Sequence, residues 1–292
     1  MDLIRSLADV ASRYDAVFCD LWGCLHNGVA PFPAAVAALQ AYRAQGGVVV
    51  LLTNAPRPKA SVVRQLQAMG VPADCYDEVV SSGDAAQMAL VTGAVGRRVY
   101  FIGAEKDQTF FTDLSADVAA VAGPIAQVPL AEAEGIVCTG LANDAVETPD
   151  DYRAALLLGR TRGLPMLCAN PDIIVDMGDK RLYCAGALAQ AYEEMGGTAL
   201  YFGKPHPPIY DLARRRLTAL VDSDDPQILC IGDGIATDIQ GGLSEGIDTL
   251  YVTGGIDTLR FGADAGNPDA GLVQAFLEEK MLSATFAIGH LR

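Results

Sequence analysis

Val17-Phe18-Cys19-Asp20 is an apolar run that ends in a carboxylate, and Gly23 permits the sharp turn such a strand end needs. Open α/β sheets bind ligands beyond the carboxyl ends of their strands, where an acid holds a metal or attacks an electrophile. Three more polar clusters follow apolar runs in the same way. Leu51-Leu52-Thr53-Asn54 delivers a hydroxyl and an amide, Gly203-Lys204-Pro205 an ammonium, and Gly232 to Asp238 (G-D-G-I-A-T-D) two further carboxylates. If all four ends share one edge of a parallel sheet, the set suits phosphoryl transfer. That chemistry needs a nucleophile, charge neutralisation and donors for the non-bridging oxygens. Asp20 would attack phosphorus and form an aspartyl phosphate. Mg²⁺, a hard ion that prefers oxygen, would bridge Asp20, Asp233 and the phosphate. Thr53 and the backbone amides of Asn54 and Ala55, near a helix start, would hold phosphate oxygens. Lys204 would offset anionic charge, with Pro205 biasing its backbone toward an extended form.

Taken singly, each cluster has a plainer reading. Thr53-Asn54 is a turn or helix cap, Gly-Asp-Gly a common turn, and Lys204 a solvated lysine. Asp238 would complement a helix macrodipole. The order of the clusters, each at a strand end, is what favours the chemical reading.

The elements that must position them alternate in type, as expected for a parallel sheet flanked by helices. Strands are predicted at Ala16–Asp20, Val48–Leu52, Val79–Val80, Arg98–Ile102, Gly135–Thr139, Met166–Ala169, Ala199–Phe202, Ile228–Ile231 and Thr249–Val252. Helices are predicted at Pro33–Gln45, Pro56–Met69, Thr148–Thr161 and Gly186–Met195, with Ser81 to Asp84 as a helix N-cap. The stretch from Asn170 to Lys180 reads as loop-rich.

Composition narrows the function classes. With 292 residues, 51% of them hydrophobic, the chain can bury one large α/β domain or a core with a second module. A net charge of −15 without a Lys/Arg block argues against nucleic acid and anionic membrane surfaces as partners. No apolar run reaches the ~18 residues of a membrane span. The charged start, Met1 to Tyr14, lacks a signal-peptide stretch. Seven scattered cysteines with no C-x-x-C pair suit buried thiols in a reducing, cytoplasmic setting, and three histidines argue against a zinc site.

The four clusters resemble the motifs of the haloacid dehalogenase-like (HAD) superfamily, which run strand-D-x-D-G-T/V, strand-S/T, K and strand-G-D-x-x-x-D. The longer strings resemble its class IIA, the NagD-like branch of sugar and nucleotide phosphatases. They are L-L-T-N-A (Leu51 to Ala55), A-N-P-D (Ala169 to Asp172), G-A-L (Gly186 to Leu188), G-K-P-H-P-P-I-Y (Gly203 to Tyr210) and G-D-G-I-A-T-D-I-Q-G (Gly232 to Gly241). The similarity spans about residues 14–255 and is specific for superfamily and class, not for substrate. It implies a Rossmannoid three-layer core with a parallel sheet, at residues 1–83 and 197–292, carrying an inserted α/β cap domain at 84–196. Such a cap would cover the crevice and choose the leaving group. Asn170, Asp172, Arg153, Arg160, Arg162, Lys180 and Arg181 are its polar candidates, of which no more than two are expected to touch substrate. Cap-mediated dimers are common among relatives, so the resemblance suggests a homodimer.

One departure matters. Phosphatases of this superfamily carry a second aspartate two residues after the nucleophile, which protonates the leaving oxygen and later activates water. Trp22 stands there. Its metal role survives, because the family's ligand at that position is the backbone carbonyl. A general acid contributes about 10²–10⁴-fold, so hydrolysis of alkyl phosphates is expected to suffer while Mg²⁺ and phosphate binding persist. Aryl or acyl phosphates need little protonation, and His26 in the following flap is a candidate replacement acid, although a loop histidine bonded to backbone is its plainer reading. Cys24, where the family prefers threonine or valine, reads as packing.

The leading expectation is therefore Mg²⁺-dependent hydrolysis of a small phosphorylated metabolite (a sugar phosphate, nucleotide, or aryl or acyl phosphate) through an aspartyl phosphate. The alternative is a pseudo-phosphatase that binds a phosphometabolite without turning it over. C–halogen hydrolysis also uses a single aspartate, but it needs no metal, and retention of Asp233 and Asp238 counts against it.

Overall fold

A computed structural model of the protein describes residues 1–177 and 180–292. Its strands, in chain order, are β1 (Asp2–Leu3), β2 (Ala16–Cys19), β3 (Val48–Thr53), β4 (Glu78–Ser81), β5 (Arg98–Ile102), β6 (Ala126–Gln127) and β7 (Gly135–Cys138). They continue with β8 (Pro165–Cys168), β9 (Ile174–Met177), β10 (Lys180–Tyr183), β11 (Thr198–Tyr201), β12 (Ile228–Gly232), β13 (Asp248–Val252) and β14 (Phe286–Ile288). Two compact units result. One holds Met1–Thr53, Arg64–Val80 and Tyr210–Arg292, the other Asn54–Val63 and Ser81–Ile209.

The first unit is built on a seven-stranded sheet in the order β1-β14-β13-β12-β2-β3-β4, with parallel pairing from β1 through β3. β2 and β12 are buried at every position. Such unbroken apolar runs belong to parallel strands covered on both faces. From β2 the chain steps outward to β3 and β4, then returns to β12 on the other side of β2. The strand order thus reverses between β2 and β12, the place where doubly wound sheets form a ligand crevice. The helix Pro33–Ala44 begins on a proline, whose missing amide proton costs little there, and buries Ala35, Val36, Leu39 and Tyr42 along one stripe. It stops where Gly46 adopts φ +92°, a left-handed turn that glycine takes without a Cβ penalty.

The second unit has a parallel five-stranded sheet, β11-β8-β7-β5-β6, and an antiparallel hairpin of β9 and β10. Along β7, Ile136 and Cys138 join one apolar cluster while Val137 joins another; on β8, Met166 and Cys168 alternate likewise with Leu167. A period of two with apolar residues in both phases means both faces are covered. Ser81 caps the helix Ser82–Val91, its Oγ accepting from Asp84 N at 3.0 Å.

The architecture is the Rossmannoid α/β core with a second α/β unit, as the resemblance implies. Several details differ from the sequence reading. β11 pairs with β8 in the second sheet, so the strand ahead of Lys204 does not belong to the seven-stranded sheet, and three rather than four motif strands share its edge. The second unit runs to Ile209 and takes in Asn54–Val63, beyond the 84–196 expected from the motifs. The helix expected from Pro56 starts at Lys59, because Pro56 and Pro58 keep the preceding residues out of helical geometry. The helix expected from Thr148 opens as a 3₁₀ turn, Pro149–Tyr152, before the α-helix Arg153–Thr161. The loop-rich stretch 170–180 contains β9 and the first residue of β10; positions 178 and 179 lie outside the described residues. Among the described residues no helix is long and apolar enough to cross a membrane.

Candidate active site

The first unit brings two carboxylates to the switch point. Asp20 follows β2, and its own amide donates to Ile231 O at 2.8 Å, so the ladder to β12 extends through it. Asp233 follows β12. One carboxylate oxygen of each, together with Cys24 Sγ, lies within 4.8 Å of the others. Asp20 is nearly buried and Asp233 half-buried. Two carboxylates this close repel when both are ionised, and a divalent cation between them relieves that cost. Burial pushes the Cys24 thiol well above its usual range, and the nearby Asp233 and Asp20 charges push the same way. Cys24 therefore stays a neutral S–H. The anionic donors are all oxygen, a set that fits Mg²⁺ or Ca²⁺ rather than zinc.

Glycines shape this corner. The Asp233 side chain lies between the backbones of Gly23 and Gly255, and a Cβ on either would overlap Oδ2. Gly23 has φ +74°. The same Oδ2 accepts from Ile256 N at 2.8 Å, which fixes the carboxylate's direction. Asp238 is buried and turned back into its own loop, accepting from Gly234 N at 3.1 Å and Thr237 Oγ1 at 3.4 Å. Gly232 leaves room for it, since a Cβ there would overlap the Asp238 carboxyl carbon. Asp238 thus tightens the turn carrying Asp233, a more specific task than complementing a helix dipole. Thr53 ends β3, beside β2 and at the same end of the sheet, and is buried.

His26 is 1% exposed, and its Nδ1 accepts from Gly28 N at 3.0 Å. Burial lowers its pKa to about 4. At neutral pH it is an uncharged imidazole already bonded to backbone, which argues against the replacement-acid role. A stability effect follows. The unfolded chain binds this proton near pH 6.5 and the folded chain only near pH 4, so stability is full above pH 6.5 and falls as pH drops through that window. The cost at acid pH is about 3 kcal/mol. Urea unfolding of His26→Gln is expected to lose less stability between pH 7 and pH 4 than the parent; parallel curves would contradict the assignment.

In the second unit, Asn54 acts through its side chain. Its Oδ1 accepts from Lys204 N at 2.7 Å, while Nδ2 donates to Lys204 O at 3.1 Å and to Asp172 Oδ1 at 2.8 Å. The primary amide thus satisfies both backbone groups of Lys204, a lysine only 2% exposed and joined to Pro205 by a cis peptide bond. Gly203 allows this approach, since a Cβ there would come within 2.5 Å of Asn54 Oδ1. Ala55 O accepts from Gly83 N at 3.0 Å. With the helix starting at Lys59, the amides of Asn54 and Ala55 are not at its N-terminus, which corrects the helix-start expectation. Asp172 is occupied by Asn54, and Asn170 Oδ1 accepts from Asp172 N at 3.0 Å. Arg153, Arg160, Arg162, Lys180 and Arg181 are exposed. Sequence reasoning missed Gly255 and the Asn54 clamp; the Gly254-Gly255 pair just after an apolar strand was the available signal for the former.

A doubly wound parallel sheet that joins two aspartates at its reversal point, with a second α/β unit inserted in its chain, defines a Rossmannoid enzyme core with a cap. Comparison with known proteins agrees. Residues 17–116 match the haloacid dehalogenase-like hydrolase family and residues 201–278 a HAD-hydrolase-like family. A hydrolase of the haloacid dehalogenase-like family from Brucella suis 1330 is 40% identical, with a TM-score of 0.85, over 99% of this chain and 100% of that one. An acid sugar phosphatase of Staphylococcus aureus is 25% identical over 249 residues, 85% of this chain and 89% of that protein. A glycerol phosphate phosphatase from Mycobacterium tuberculosis, solved in complex with calcium, is 25% identical with a TM-score of 0.64, over 85% of this chain and 69% of that one. The chain belongs to the haloacid dehalogenase-like hydrolases.

Proposed function

We propose that this protein is a divalent-metal-dependent phosphatase that hydrolyses a small phosphorylated metabolite by transferring the phosphoryl group to Asp20. The observation that carries the reading is the convergence of Asp20 and Asp233 at the switch point of the sheet. The named activities of the relatives, sugar phosphate and glycerol phosphate hydrolysis, support it. The second of these relatives has been solved with calcium and with magnesium, which supports a divalent ion here.

Asp20, Asp233 and the backbone carbonyl of Trp22 would hold the ion, with Mg²⁺ the expected one. When bound, it supplies positive charge for the phosphate oxygens and the nucleophile. Asp20 attacks phosphorus, the leaving oxygen departs, and water then cleaves the aspartyl phosphate. Thr53 donates to a phosphate oxygen; within the second unit, Asn54 fixes the backbone of Lys204. Asp238 acts indirectly by holding the Asp233 turn. Trp22 has no proton to deliver to a leaving alkoxide, so turnover of alkyl esters is weakened by the loss of about 10²–10⁴-fold that a general acid supplies. The same residue favours the second reading, in which the protein binds a phosphometabolite without hydrolysing it.

Phosphate release from an aryl phosphate, a sugar phosphate panel and nucleotides, with and without a chelator, tests the reading. Turnover is expected to vanish with chelation and to return with added Mg²⁺. Turnover unaffected by chelation would remove the metal from the account, and saturable phosphate binding with no turnover of any ester would establish the second reading.

A further inference from the structure

The loop after Asp20 is a self-contained flap. Leu25 N and His26 N both donate to Leu21 O, at 2.8 and 2.9 Å, Gly23 N donates to His26 O at 2.9 Å, and Phe32 N returns to Leu25 O at 2.8 Å. Asn27 closes the tip, its Oδ1 accepting from Val29 N and Ala30 N. The Trp22 indole is packed into this frame. It meets the His26 ring edge-on, with centroids 5.4 Å apart and planes at 72°. Its six-membered ring lies so close to Gly28 that a Cβ there would overlap Cη2 and Cζ3. Gly28 has φ +82°, so its backbone favours glycine on its own account too. His26 is pinned in turn by the Gly28 amide. Trp22 nevertheless remains part-exposed. A restrained indole on a part-exposed residue therefore stands two residues beyond the proposed nucleophile, and binding against it would cost little side-chain entropy.

Leaving-group chemistry gives this a direction. In the first step an Asp20 oxygen–phosphorus bond forms and the phosphorus–oxygen bond of the ester breaks, leaving the electron pair on the departing oxygen. An alkoxide needs a proton at that moment, and the indole N–H is a hydrogen-bond donor only. A phenolate spreads the pair into its ring and departs without one. The flat π-face that cannot protonate an alkoxide is suited to stack on that ring.

We propose that Trp22 is a specificity-determining residue of this protein, stacking on a planar aromatic leaving group so that the preferred substrates are phosphate esters of phenols or hydroxylated heteroaromatics. The inference rests on phosphoryl transfer to Asp20, and its test separates the two. Trp22 is the sole tryptophan, so its emission reports on its own environment. Phenylphosphonate, a non-hydrolysable aryl analogue, is expected to shift that emission saturably in the Mg²⁺-supplemented enzyme, whereas methylphosphonate leaves it unchanged. Trp22→Leu is expected to lower the ratio of kcat/KM for phenyl phosphate to that for glycerol phosphate on the order of tenfold, while Trp22→Phe retains most of the aryl preference. Unchanged emission with phenylphosphonate, or an equal loss on aryl and alkyl esters in Trp22→Leu, would overturn the proposal. A stronger emission response to phosphocholine than to phenylphosphonate would assign the indole to a cation and overturn it as well. If no ester is hydrolysed, the phosphatase reading falls, yet a saturable phenylphosphonate response still establishes the aromatic subsite; its absence as well removes both.

Discussion

Asp20→Asn is expected to abolish phosphate release from aryl phosphates, with a loss of at least about 10³-fold in kcat, while the protein stays folded. The substitution is nearly isosteric, and the Asp20 amide that extends the ladder to Ile231 O is a backbone group it does not touch. An amide is neutral, so it neither attacks phosphorus nor contributes a charge to the cation site shared with Asp233. Stability is expected to be unchanged or slightly higher, since one of two mutually repelling carboxylates disappears. Single-turnover phosphate release and a thermal melt, run on the same preparation, read both effects. Activity within tenfold of the parent would remove Asp20 as nucleophile and with it the proposed mechanism.

Much of this corner was legible from local sequence because it is built from strand ends. Val17 to Cys19 and Ile228 to Ile231 are apolar runs too continuous for surface strands, and each is followed by an aspartate and a glycine turn. What local sequence does not encode is partnership. Ala199 to Phe202 looks like any other short apolar strand, and only its pairing with β8 reveals that it feeds the second sheet. The same holds for Asn54. Turn chemistry explains an asparagine after a strand, but its amide closes on Lys204, 150 residues along the chain, and no local pattern announces that bond. Gly23 was legible as a turn, whereas its second task, clearing space for Asp233, depends on how two strands 212 residues apart lie side by side.

That second task carries the other large effect. Gly23→Ala places a methyl group where Asp233 Oδ2 now lies, at a residue whose φ is +74°. The carboxylate has to leave its present position, and the backbone meets a left-handed penalty of about 1–2 kcal/mol. Metal affinity, read as the Mg²⁺ concentration giving half-maximal activity, is expected to weaken by at least about tenfold, with a measurable loss of stability. Two companions separate the causes. Gly255→Ala pushes on the same oxygen without a left-handed backbone, so it should shift the Mg²⁺ titration with a smaller loss of stability. Gly70→Ala has φ +81° but nothing within 4 Å of the new methyl group, so it should cost stability and leave the titration where it was. If Gly23→Ala and Gly255→Ala both titrate with Mg²⁺ like the parent, Asp233 does not set the metal's position. The switch point would then hold two aspartates for some other reason.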